Sequence, residues 1–410
     1  MSENIKVEPA CRQGRADAVL NIKEFTIIND CFQYKSNEEI GVFWRTLFRI
    51  NNFLKSDRRR YYYIYVFIIA FLSLACDNEE MDNFNSPDIK KDVWDIPKEK
   101  VIDGGAGRDG IPSINNPKFV PLGDVNYILD TDLVLVLSEG EITHIYPHKI
   151  LDYHEAVNDD IQANNTTITY CPLTGTGIGF KGLINGSKTT FGISGLVYKN
   201  NQILFDRLTD SYWSQITRKA VHGTLRGRLA KTTTLFETTW KTAKSLIPNA
   251  LVLSKDTGFS RVYEQFPYLD YRTNHEFLIF PVEEEDDRLK AKERVYAVLG
   301  SIDIRTYPLD HFDDNISVIN DFFEGESLIL IGSQKGKFIT GFIRESGIDY
   351  TPLQDQFPLV FEDSNGNKYD VLGRTLEGPD LGKKLKQPDA MMGYWFALVD
   401  FFGRPQIHVK

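Results

Sequence analysis

From about residue 119 the chain is written in short apolar, β-branched runs broken by turn residues, and this texture restricts the fold more than any other feature. The runs are Leu133–Leu137, Glu141–Tyr146, Thr166–Tyr170, Thr189–Ile193 and Gln202–Phe205. They are too short for buried helices, and Gly and Asn separate them, so a mainly β fold with a few helices (α+β) is expected. Asn185-Gly186 and Asn200-Asn201 fit tight hairpin turns. One helix is predicted from Thr234-Leu-Phe-Glu237, which reads as a capping box. Phe236, Trp240, Ala243 and Ile247 then share one helical face, and Pro248 ends it.

The chain also echoes itself. Val134–Pro147 reads VLVLSEGEITHIYP and Val295–Pro308 reads VYAVLGSIDIRTYP. Val157-Asn158-Asp159 follows the first and Ile319-Asn320-Asp321 the second, Gly179-Phe180 answers Gly341-Phe342, and Gly227 precedes Trp240 as Gly382 precedes Trp395. Landmarks that keep order and spacing predict an internal duplication giving two related β-rich subdomains. Residues kept in both copies, such as Tyr146/Tyr307 and Asn158/Asn320, serve the fold. Reactive residues found in one copy only are better candidates for function. Copy one carries His148, His154, Cys171 and Trp213-Ser-Gln215, where copy two has Leu309, Ile316, Gly332 and no such run.

The front of the chain reads as an address. Arg58-Arg-Arg60 precedes an apolar run from Tyr61 to Ala75, and Ser73-Leu-Ala-Cys76 resembles the bacterial lipobox, in which the cysteine carries lipid. The run suits a signal peptide, since a spanning helix needs about 20 apolar residues. No Met lies between Met1 and Met81, so residues 1–57 are expected to precede the true start. The organisation expected is therefore 1–57 as an upstream extension, 58–75 as signal peptide and 76–118 as tether and entry segment. Then come 119–282 as the first copy, 283–293 as an acidic linker and 294–410 as a second, degenerate copy. Localisation in a bacterial cell envelope, anchored to membrane by an N-terminal lipid on Cys76, follows. Of 47 Lys+Arg and 57 Asp+Glu, 11 and 8 precede Cys76, leaving 36 against 49 and a net charge of −13 in the exported part. That balance argues against nucleic acid as a partner.

The stretch from Asp109 to about Arg272 resembles the exported family called domain of unknown function 3179. The matching pieces are Asp109-Gly-Ile-Pro-Ser-Ile, Asn116-Pro-Lys-Phe119, Tyr146-Pro147, His154-Glu155 with Val157-Asn-Asp159, Tyr170-Cys-Pro-Leu-Thr-Gly, Phe191-Gly-Ile-Ser-Gly-Leu196, Asp206-Arg207, Trp213-Ser-Gln215, and Pro267-Tyr268 with Tyr271. The resemblance implies export and a fold, and no activity. Many members have a second cysteine where this chain has Thr174, so a two-cysteine redox pair does not operate here.

Export leaves Cys171 as the one cysteine without lipid, and a lone thiol in an oxidising compartment stands out. It ends a strand-like run before Pro172, Gly175, Gly177 and Gly179. His148, His154, Glu155 and Asp159 lie shortly before it. A nucleophilic cysteine needs a base or cation beside it, and copper or zinc would want Cys171, His148 and His154 as ligands. Trp213 and Gln215 are further binding candidates. Three readings stay open: a module binding a small ligand or metal around Cys171, a thiol-dependent enzyme with Cys171 as nucleophile and a histidine base, and a structural lipoprotein without a site.

Overall fold

A computed structural model describes residues 93–409. The signal segment and Cys76 lie outside these residues. Strand accounts for 41 % of the structure and helix for 10 %, so the chain is mainly β, as the short runs predict. No helix among the described residues is long and apolar enough to cross a membrane.

The first half is built from β1 (Leu133–Glu139), β2 (Ile142–Pro147), α1 (His148–His154), β3 (Ala156–Ile161), β4 (Asn164–Cys171) and β5 (Thr176–Lys181). After a five-stranded sheet made largely from residues 191–222 come β6 (Phe236–Thr239), α2 (Trp240–Leu246) and β7 (Leu251–Leu253). β6 pairs antiparallel with β1, β1 with β2, and β7 lies parallel to β2. β3, β4 and β5 form a separate antiparallel meander. Alternation along these strands sends Val134 and Val136 into one apolar cluster and Leu135 and Leu137 into another.

The second half repeats this order and sense. It comprises β8 (Arg294–Leu299), β9 (Ile304–Pro308), β10 (Ser317–Phe323), β11 (Glu326–Ser333), β12 (Phe338–Ile343), β13 (Ala390–Tyr394), α3 (Trp395–Phe402) and β14 (Gln406–Ile407). β13 pairs antiparallel with β8, β8 with β9, and β14 lies parallel to β9. A four-stranded sheet within residues 350–377 follows β12 in the chain, as the sheet of residues 191–222 follows β5. The Tyr146 hydroxyl donates to Asp159 at 2.6 Å, and the Tyr307 hydroxyl to Asp321 at 2.7 Å. Packing is reciprocal: β5 lies against β13, and β12 against β6. The Tyr394 amide donates to the Thr174 carbonyl at 2.8 Å, while the Thr238 hydroxyl donates to the Gly336 carbonyl at 2.9 Å. Two apolar clusters draw on both halves.

Three local expectations need correction. Thr234–Glu237 is no capping box: Glu237 sits in β6 opposite Leu135, and Thr239 caps α2 by accepting from the Thr242 amide at 3.3 Å. Strand pairing with β1 outcompetes the local helix signal there. The second hairpin turns at Lys199-Asn200, both at positive φ, one residue earlier than expected, whereas Asn185-Gly186 turns as read. Matching sheet registers also set Ser333 where Cys171 stands, and Gly332 where Tyr170 stands.

Between Leu253 and Arg294 the chain runs 40 residues without strand or helix. This strap lies over the first half and is tied down by side chains. Tyr153 donates to the Val262 and Gln265 carbonyls at 2.9 and 2.8 Å, and Asn200 exchanges amide hydrogen bonds with Phe280 at 3.0 and 3.1 Å. Buried Lys292 reaches three carbonyls of the strap: Tyr271, Asn274 and Phe277. The acidic stretch Glu283–Asp287 closes the strap, with the Glu283 and Glu284 amides on the Asp400 carboxylate at 3.0 and 3.2 Å. Irregular segments of this length in compact proteins commonly cover functional sites.

Candidate functional site

Pro147 ends β2 and turns the chain straight into α1, whose first residue, His148, points inward and is 1 % exposed. Its ring packs on Tyr170 of β4, with centroids 4.2 Å apart. Its Nε2 lies 3.4 Å from a Glu237 carboxylate oxygen, a contact whose angles do not make a hydrogen bond. Burial pushes the imidazole down to about 4, outweighing the nearby carboxylate, so His148 is neutral at physiological pH. Glu237 is also buried, yet its carboxyl is held below the usual range, because Arg294 and His148 outweigh the cost of burial. Arg294, at the start of β8, grips Glu237 with Nε at 2.8 Å and with Nη2. Nη2 also donates to the Gly175 carbonyl at 3.0 Å. The Tyr394 ring lies under the guanidinium, 5.4 Å from its carbon.

The Tyr170-Cys-Pro-Leu-Thr-Gly175 segment crosses this cluster as the turn from β4 to β5. Gly175 takes a left-handed φ of 63°. A Cβ there would stand 2.6 Å from Arg294 Nη1 and 3.0 Å from the Tyr394 ring, so only glycine lets the turn pack this closely on the guanidinium. Cys171 is 2 % exposed, and its thiol faces the Asn200 carbonyl at 3.8 Å. Burial, aided by the neighbouring Glu155 carboxyl, pushes the thiol up to about 11. It is therefore a thiol, not a thiolate, near neutral pH.

Helix α1 and the strap close the other side. Asp152 is 4 % exposed and paired with Arg272 of the strap. Burial pushes Asp152 up to about 7 against the pull of that guanidinium. Glu155 follows α1 in a left-handed conformation, φ 55°, which turns its side chain inward. Burial raises its carboxyl well above the usual range, and the Tyr268 hydroxyl donates to it at 3.1 Å. The Tyr271 hydroxyl donates to the Leu173 carbonyl at 2.9 Å, tying strap to turn. Arg272 and Arg294 both act electrostatically on Tyr170 and Tyr394, so the two guanidiniums flank one set of hydroxyls.

Five buried polar atoms here have no hydrogen-bond partner: Tyr170 Oη, both His148 ring nitrogens, Arg272 Nε and Arg294 Nη1. Each unpartnered buried donor costs about 1–3 kcal/mol. Together they cost on the order of 5 kcal/mol, a large part of the ~5–15 kcal/mol that holds a domain folded. Gathered in one place, they call for something to bond to.

The other residues singled out in the sequence serve different neighbourhoods. His154 bonds the Pro112 carbonyl and the Tyr263 hydroxyl, each at 2.7 Å, so both its nitrogens are engaged. Asp159 accepts from Tyr146 and meets His144 Nδ1 at 2.7 Å. The Trp213 indole donates to Asp206 at 2.9 Å, and Gln215 sits in a buried amide–hydroxyl net with Thr169, Thr176 and Asn201. Thr174 joins that net through Asn201 at 2.9 Å. The structure thus brings His148 and Cys171 to the Tyr170 turn, with Glu155 beside the thiol, and leaves His154, Asp159, Trp213 and Gln215 with other partners. Among the described residues no group of three or more His, Cys, Asp or Glu side chains is arranged to hold a metal ion.

Sequence reasoning passed over Asp152, Tyr170, Glu237, Arg272, Arg294 and Tyr394. A signal existed. The matched registers put Leu133 where Arg294 stands and Met392 where Glu237 stands, so these charges too occur in one half only. Two surface clefts, of about 860 and 810 Å³, lie elsewhere and share no lining residue with the cluster. The clefts are open to solvent, whereas the unpartnered atoms around Tyr170 are buried, and the latter carry the stronger functional signal.

A family model described as "Protein of unknown function (DUF3179)" matches residues 108–405. No curated protein and no solved structure matches the chain.

Proposed function

The chain belongs to the DUF3179 family of proteins of unknown function, and from that premise we propose that it is an exported, lipid-anchored binding module whose small polar ligand sits among His148, Tyr170, Arg272 and Arg294. One observation carries the binding reading: the five unpartnered polar atoms gathered under the Tyr170–Gly175 turn. A ligand that bonds to them turns a standing cost into affinity. The anchor rests on the basic head, the short apolar run and Cys76. The similar strand order and the Tyr146–Asp159 and Tyr307–Asp321 pairs support reading the two halves as copies.

Binding is preferred to thiol catalysis because Cys171 is buried, lacks a basic neighbour and is held in its thiol form. A second reading has its own observation. Asp152 and Glu155 are buried carboxyls with raised proton affinity, the state a general acid needs. In that reading a Glu155→Gln variant loses turnover while keeping ligand affinity.

Native mass spectrometry of the full chain isolated from its producing cells tests the binding reading. The expected result is a one-to-one small-molecule adduct that disappears on denaturation. A spectrum of bare protein, with a melting temperature unmoved by a small-molecule extract of the same cells, overturns it. The same spectra test the anchor: the expected mass begins at Cys76 with added lipid, and a product retaining Cys11 or Cys31 sinks that expectation.

A further inference from the structure

We propose that the group bound under the Tyr170–Gly175 turn is an oxyanion, a carboxylate or a phosphate on a small solute, held between Arg294 Nη1 and Arg272 Nε with the Tyr170 hydroxyl. This rests on the binding reading above and adds the chemistry of the ligand.

A guanidinium only donates and does not deprotonate in proteins. Arg294 commits Nε and Nη2 to Glu237 and Gly175, and Arg272 commits Nη2 to Asp152. Of the nitrogens left over, Arg294 Nη1 and Arg272 Nε are buried without an acceptor, while Arg272 Nη1 belongs to a side chain that is partly exposed. The Tyr170 hydroxyl, which Arg272 approaches, still has its own proton to donate, and a neutral His148 offers one further N–H. The unmet groups are thus mostly donors, and they need an acceptor-rich partner. A neutral polyol brings a donor with each acceptor. An oxyanion brings acceptors alone, and guanidinium donors favour it through both charge and geometry.

The charge balance points the same way. Arg294 is offset by Glu237, which stays ionised. Arg272 is offset by Asp152, which burial brings close to neutrality near pH 7. Protonation of Asp152 leaves the enclosure one positive charge in excess, a deficit that a bound anion fills. Gly175 packs directly on Arg294 Nη1, so any side chain there would press on the donor offered to the anion. Leu309 and Gly332 of the second half correspond to His148 and Tyr170, and Leu133 of the first half corresponds to Arg294, so this set of donors exists once among the described residues.

The test is calorimetric titration and thermal melting of the full chain with acetate, with inorganic phosphate and with glucose as a neutral control. Acetate or phosphate is expected to bind one-to-one and raise the melting temperature, and glucose is expected to do neither. Which of the two binds identifies the source of the oxyanion. Acetate binding should be several-fold tighter at pH 6 than at pH 8, since Asp152 is then protonated. Arg294→Gln alone strands Glu237 and risks misfolding, so the informative variant is Glu237→Gln/Arg294→Gln, which removes both charges. It should weaken binding at least tenfold, as should Arg272→Gln, whereas exposed Arg228→Gln should not. Binding of glucose without acetate or phosphate overturns the oxyanion assignment and leaves the binding reading intact. Equal anion affinity in wild type and double variant means an adventitious surface ion only, and overturns it as well. No binding of any probe, joined to bare protein in the native spectra, removes both readings.

Discussion

At the scale of single residues, the chemistry of the site is set by burial more than by residue type. Cys171 drew attention as a lone thiol, and the structure gives it a carbonyl to face and no cation to ionise it. Its alkylation at pH 8 is expected to be at least ~100-fold slower in native than in denatured protein, as followed by mass spectrometry. Native labelling at the denatured rate would return the thiolate to consideration. Glu155 makes a sharper test. Its neighbours are the Tyr268 hydroxyl from the strap, Asp152 from α1 and Cys171 from β4. Its carboxyl is pushed up to about 8 in the folded chain. Because the folded value lies above the unfolded one, its contribution to stability is fully present below the unfolded value near 4.5 and is lost as pH rises towards 8. Glu155→Gln keeps an acceptor for Tyr268 and cannot ionise. Its melting temperature should match wild type near pH 4.5 and exceed it by a widening margin up to pH 8, at about 1.4 kcal/mol per pH unit as an upper limit. His148 titrates in both proteins and drops out of the comparison. A gap that does not change with pH would sink the assignment.

At the scale of elements, strands were legible in sequence because a half-buried strand writes its alternation into the chain. The capping-box reading failed at Glu237, since four residues of local pattern cannot report that β1 lies beside them. The strap was illegible for a related reason: Tyr263, Tyr268 and Tyr271 look like core aromatics until their hydroxyls are seen holding His154, Glu155 and the Leu173 carbonyl. Removing those hydroxyls should loosen the strap. Tyr268→Phe and Tyr271→Phe are each expected to cost about 1 kcal/mol, and limited proteolysis of the double variant should cut faster within residues 254–293. Unchanged cleavage there would mean that apolar packing alone holds the segment. The β4–β5 turn allows a controlled comparison. Gly175 and Gly186 both have positive φ, but a Cβ at Gly186 meets nothing within 4 Å, whereas one at Gly175 meets Arg294. Gly175→Ala and Gly186→Ala should share a backbone cost of about 1 kcal/mol. Only Gly175→Ala should also reduce acetate or phosphate binding, by tenfold or more. Equal effects would show that the turn does not border the ligand.

At the scale of the whole molecule, order and spacing of landmarks along the chain say nothing of how its two halves fit. A pattern read along one chain carries no record of β5 packing on β13 or of β12 packing on β6. The same blindness hid the site, whose residues are spread from His148 to Tyr394 and meet only through that packing. Asking which thiols and imidazoles occur in one half found His148 and Cys171. Asking the same of charges in strands would have found Glu237 and Arg294, which tie the first half to the second. The consequence is mechanical. Trp213 and Trp395 lie in one apolar cluster and Trp240 in another, and both clusters take residues from each half. Neither half can lose its packing without exposing the core of its neighbour. Residues 93–409 are therefore expected to unfold in urea as one cooperative unit, despite a length at which separate domain transitions are common. Tryptophan fluorescence and far-ultraviolet circular dichroism should trace coincident curves, and a Trp240→Phe variant should keep the fluorescence midpoint in register with the dichroism. The Glu237→Gln/Arg294→Gln variant should lower the midpoint without splitting the transition, since it weakens one tie among many. Two resolved transitions, or a midpoint that depends on which tryptophan reports it, would mean that the halves fold separately and that the enclosure between Tyr170 and Arg294 forms only after they dock.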